Sequence, residues 1–90
     1  MDRTMMIARR AYRKFLLEKG CEESTADDYP VRVDGICKRE GFNSWDELGL
    51  NIISMLEKYG KDGEEAEHGE KSNGSNYQAL KLFAEFYICL

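Results

Sequence analysis

Few residues in this sequence have both the type and the spacing to do chemistry. His68 is the only histidine. No second histidine or close cysteine pair accompanies it at ligand spacing, so the usual zinc arrangements are excluded. Cys21, Cys37 and Cys89 are odd in number and far apart. That argues against a disulfide framework and suits small buried hydrophobes in a reducing, cytoplasmic setting. The run Glu64-Glu65-Ala66-Glu67 could attract a cation or a partner, but reads most simply as a solvated acidic segment. There is no Gly-x-Ser-x-Gly elbow, no glycine-rich loop following a strand and no His–Cys pair at nucleophile–base spacing. None of the carboxylates is set on an apolar face, where burial would lift its pKa toward a catalytic value. The expectation is a protein that is not an enzyme and needs no cofactor or metal.

The basic residues carry more promise. As far as Lys19 there are six (Arg3, Arg9, Arg10, Arg13, Lys14, Lys19), opposed only by Asp2 and Glu18. From Asp62 to Glu70 there are five acids and no Lys or Arg. The net charge of −4 weighs against a polyanionic partner. The uneven distribution still allows one basic face. Arg9 and Arg13 lie opposite an apolar stripe and could face phosphates or simply solvent.

These residues must be held by helices, because every apolar periodicity in the chain is helical and none alternates. Ala8, Ala11, Tyr12, Phe15 and Leu16 predict a first helix over 4–19, closed by Gly20. Ser24 with Asp27 and Thr25 with Asp28 fit capping boxes for a second helix. Pro30 predicts a break there, giving a short turn over 24–29 and a main helix over 30–40 that is weakened at Gly35 and closed by Gly41. Ser44 opens a short helical turn that sets Trp45 in the core. Asn51 caps a third helix with Ile52, Met55, Leu56 and Tyr59 inward, stopped by Gly60. Residues 61–74 are poor in apolar side chains and read as a mobile acidic loop. A last helix starts at Ser75, with Gln78 completing a capping box. Its broad stripe of Ala79, Leu80, Phe83, Ala84, Phe86, Tyr87 and Leu90 places it at the centre, with Leu80, Phe83 and Tyr87 most buried. The ninety residues thus make one all-α domain, a small bundle of four to five helices. No apolar run approaches the ~20 residues that span a bilayer, so no membrane association is expected.

The order of these segments resembles a known family. Phe15-Leu16-Leu17-Glu18-Lys19-Gly20 is followed by Ser24-Thr25-Ala26-Asp27-Asp28-Tyr29, then Trp45-Asp46-Glu47-Leu48 before Asn51-Ile52-Ile53, then Ser75-Asn76-Tyr77-Gln78-Ala79-Leu80-Lys81-Leu82-Phe83. This is similar to the SAM-like (sterile-alpha-motif-like) N-terminal core-binding domain of phage integrases, the tyrosine recombinases, over about Ala8 to Phe86. The resemblance implies a helical clamp on one face of duplex DNA. It implies that Thr25, Arg32, Ser75, Asn76 and Lys81 face DNA, with Lys71 and Asn73 just before the last helix. The recombinase catalytic Arg, His and Tyr set has no counterpart in these residues, so the expected role is non-catalytic. The chain departs from the family in its acidity and in carrying Asp27, Asp28 and Pro30 at the helix start turned toward DNA.

Two functions follow as expectations. One is a DNA-binding module of a recombinase-type or mobile-element protein, contacting duplex DNA weakly and with salt sensitivity. The other is an acidic protein-interaction module, an accessory or inhibitor protein of a mobile element, with self-association through the apolar C-terminal end. Convergence of Arg9, Arg13, Arg32, Lys38, Lys71 and Lys81 on one face would favour the first.

Overall fold

The computed structural model describes residues 3–88, and the side chains of all of these except 3, 4, 72 and 73. Five helices form among them: α1 (Arg3–Glu18), α2 (Glu23–Glu40), α3 (Trp45–Leu50), α4 (Ile52–Tyr59) and α5 (Ala66–Ile88). The described residues contain no strand, as an all-α bundle requires.

α1 buries Tyr12 and Leu16 on the predicted stripe. Gly20 and Gly41 follow α1 and α2 at φ 94° and 77°, the left-handed stop that side chains with a Cβ adopt at a cost. Ser44 caps α3 as read from the sequence, its Oγ accepting from the Glu47 N–H at 3.2 Å. Asn51 precedes α4 without a side-chain cap. Its Nδ2 instead donates to Glu47 O at 2.9 Å, closing the helix behind rather than opening the one ahead.

Three expectations are corrected. First, α2 is continuous through Pro30. The proline removes one helical donor, but its ring is buried along with Ala26, Val33, Ile36 and Cys37, and that packing holds the helix together. Second, neither capping box at the start of α2 forms. The helix starts at Glu23, with Glu22 as its cap and no side-chain hydrogen bond to it. Asp27 and Asp28 turn to arginines instead. Third, the segment over 61–74 is a loop only at its beginning, because α5 starts at Ala66. Gly74 lies inside α5 at φ 81°, so the chain changes course there.

The turn between α4 and α5 is tied down on both sides. Glu65 N–H donates to Lys58 O at 2.8 Å, and the Glu65 carboxylate accepts from Arg39 of α2. The His68 ring then rests edge-on against Tyr59, with centroids 5.7 Å apart. Gly69 lies so close to the Tyr59 carbonyl that a Cβ would overlap it.

The core sits where α5 crosses the others. Ala79, Leu80, Phe83, Ala84 and Phe86 are buried there against Tyr12, Val33, Ile36, Trp45 and Leu48. Phe83 is 1% exposed and meets Tyr12 and Trp45 edge to face. Tyr87, expected at the centre, is half-buried. Tyr12 is fully enclosed and its hydroxyl donates to Ala79 O at 2.7 Å, satisfying the polar end of a core side chain.

Candidate nucleic-acid interface

The arginines of α1 are turned onto the acids of α2. Arg9 pairs with Asp34, and Arg13 Nε reaches Asp27 at 2.6 Å. Asp34 also accepts from the Trp45 indole at 2.8 Å, so one carboxylate joins α1, α2 and α3. Arg9, Arg10 and Arg13 line a shallow cleft of about 180 Å³ beside Asp27 and Pro30. A guanidinium already bonded to a carboxylate must give up that bond to take a phosphate. This side of α2 is therefore largely self-neutralised.

The other side of α2 is richer in cations. Arg32, Gly35, Lys38 and Arg39 fall at i, i+3, i+6 and i+7, one face of the helix. They meet His68 and Asn76 of α5 across an open cleft of about 410 Å³. Arg32 is held in a fixed plane, its Nε on Asp28 at 2.5 Å and its Nη1 on Asn76 Oδ1 at 2.9 Å. Arg39 is held by Glu65. Lys38 is exposed and has no ion pair among the described residues. A second cleft of about 350 Å³ adjoins, lined by Arg39, Glu64, Glu65, Glu67, His68 and Lys71.

Two features of this region stand out chemically. Burial, with Arg39 and Lys71 nearby, lowers the His68 pKa against an opposing pull from Glu65, so the imidazole favours its neutral form. Its Nδ1 is shielded from solvent with no hydrogen-bond partner. Gly35 is exposed in the middle of α2 and is not among the glycines with positive φ. A Cβ there would meet nothing within 4 Å. A bare glycine in an exposed helix costs about 1 kcal/mol relative to alanine.

The residues expected from the sequence are thus divided. Arg9 and Arg13 lie on the α1 side of α2. Arg32 lies on the α5 side, and Lys71 lines the adjoining cleft. Lys81 is exposed on α5, while Thr25 and Ser75 are half-buried. Asn76 is only 8% exposed, and its amide is committed to Arg32 and to His68 O. The side chain of Asn73 lies outside the described residues. Gly35, Arg39 and His68 were not expected at a site. For the first two the signal was present, as a helical stripe running Arg32, Gly35, Arg39. For His68 it was hidden by the reading of its segment as a loop.

A different kind of surface lies at the far end of α1. Ile7, Ala11, Trp45, Phe83, Phe86 and Tyr87 line an apolar cleft of about 230 Å³. Ile7, Leu50, Ile53 and Ile88 are each more than 60% exposed. Cys89 and Leu90 lie outside the described residues. No group of three or more metal-ligating side chains occurs among the described residues, and no helix there is long and apolar enough to cross a membrane. Burial pushes the Cys37 thiol up to about 12, which leaves it protonated and unreactive. No protein-family model, no curated protein and no solved structure matches this chain.

Proposed function

We propose that the protein is a non-catalytic DNA-binding module that touches the duplex backbone with the α2–α5 face. The observation that carries this reading is the cluster of Arg32, Lys38 and Arg39 from one helix around a single open cleft, with Lys71 lining the next. Few phosphates can be neutralised by so small a set, and Asp28 and Glu65 already hold two of the arginines. Binding should therefore be weak and largely independent of sequence, with a shallow salt slope. The likeness to the integrase core-binding domain points the same way.

The test is fluorescence anisotropy of a labelled duplex at several salt concentrations. Lys38→Glu with Lys71→Glu should weaken binding, and Lys61→Glu should leave it nearly unchanged. Absence of binding at low salt would end the DNA reading. A second reading, a protein-interaction module, is favoured by the apolar cleft between α1 and α5, which Ile7 lines, and by the exposed Ile88 that follows Tyr87 of that cleft. Concentration-dependent sedimentation, abolished by Ile88→Glu, would support it.

A further inference from the structure

Gly35 poses a question that the fold leaves unanswered. Its backbone needs no left-handed geometry, no neighbouring atom crowds the position, and a side chain would enter open space. Any side chain would favour the helix more than glycine does. A bare position of this kind fits a contact from outside, where another group comes close to the helix backbone. The identity of that group is indicated by the surroundings, because Gly35 lies in the cleft with Arg32, Lys38 and Arg39.

We propose that the cleft over Gly35 is a seat for a phosphoryl oxyanion, held between the α2 cations and the facing edge of α5. The bare backbone at Gly35 admits the anion. Arg32, its Nε and Nη1 already bonded, presents Nη2 in a pre-set plane as a charge-assisted donor to a single phosphoryl oxygen. Lys38, without a carboxylate partner among the described residues, adds a point charge on a flexible stem. Arg39 closes the far end from its pairing with Glu65. The neighbouring acids Asp28 and Glu65 are committed to those arginines, while Glu64 and Glu67 line the next cleft beside Lys71. The seat is thus modestly cationic and suits a weakly held ligand.

This inference rests on the reading of the α2–α5 face as phosphate-facing, and it names the point of contact. Its test is an amide NMR titration of the full chain with inorganic phosphate at constant ionic strength, then with a short DNA duplex. Phosphate should move amides of residues 32–39 and 68–76 and few others. Gly35→Leu should melt no lower than the parent and yet lose phosphate affinity by about tenfold or more. Lys38→Glu should lose it too, and Lys61→Glu should not. Shifts spread evenly over the surface, or undiminished affinity in Gly35→Leu, would overturn the seat. A duplex that binds while phosphate gives no localised shifts would overturn the seat and leave the DNA reading standing. Localised phosphate shifts without duplex binding would sustain the seat, as a site for a free phosphate ester, and end the DNA reading.

Discussion

Replacing Phe83 by alanine is the most demanding single test of this core. Phe83 is 1% exposed, and its ring centroid lies 5.8 Å from Tyr12, 5.3 Å from Trp45 and 5.9 Å from Tyr87. With Tyr12 and Trp45 it closes a triangle of edge-to-face rings that joins α5 to α1 and α3. Truncating a buried phenylalanine costs about 3–5 kcal/mol, because transfer energy is lost and the cavity collapses only in part. The edge-to-face pairs add to this at about 0.5–1.5 kcal/mol each, although such terms overlap. A domain of this length has about 5–13 kcal/mol in total. Phe83→Ala should therefore lose about a quarter of the stability or more, and at the upper end of that range come close to unfolding at 37 °C. Phe83→Leu, which keeps most of the volume, should fold and lose much less. Urea denaturation followed by Trp45 emission measures both. A loss below ~1 kcal/mol for the alanine variant would show that the three helices are not joined through this ring.

Acid should destabilise the fold in two stages. His68 is held below its ordinary 6.5 by burial and by Arg39 and Lys71, so its contribution is complete above that pH and is lost as pH falls through the folded value. Burial alone would raise Glu40, but hydrogen bonds from Tyr59 and Lys58 prevail and hold it below 4.5. Its contribution is present above 4.5 and disappears on further acidification. Thermal melts of the parent and of His68→Gln should therefore diverge as pH falls below 6.5, and identical profiles would refute the first stage. With Cys89 replaced by serine, a thiol reagent at pH 8 should modify half-buried Cys21 well before buried Cys37; equal rates would contradict the burial of Cys37. Gly35→Ala should stabilise the chain by about 0.5–1 kcal/mol and raise Tm by several degrees, and a lower Tm would mean that the open space at Gly35 is not real.

The helices and the core were legible because their signals are local. Apolar side chains at 3.6-residue spacing must share a face, and Ser44 needs only Glu47 three residues on to act as a cap. What could not be read depended on distant partners. Pro30 ends most helices, and only burial of its ring in the assembled bundle explains why α2 continues. Asp27 and Asp28 have the spacing of caps, yet Arg13 and Arg32 outbid the local N–H groups. The early start of α5 was hidden because residues 66–73 carry little apolar surface. That turn is held by the Tyr59–His68 contact, the Asn76–His68 hydrogen bond and the Arg39–Glu65 pair, all between residues far apart or on different elements. The division of the basic residues to two sides of α2 was likewise invisible without the carboxylates that claim Arg9 and Arg13.

The bond from the Trp45 indole to Asp34 gives the molecule a built-in optical gauge. Trp45 is the only tryptophan in the chain, so all indole emission comes from one enclosed ring at the junction of four helices. Its N–H points at a carboxylate one residue from Gly35. An anion arriving over Gly35 changes the field along that N–H, and a shift of Asp34 toward or away from Arg9 does the same. Emission wavelength and intensity should then follow events on the outer face of α2 without any added label. Asp34→Asn, which keeps an oxygen for the indole and removes the charge, should blunt the response while leaving the ring in place.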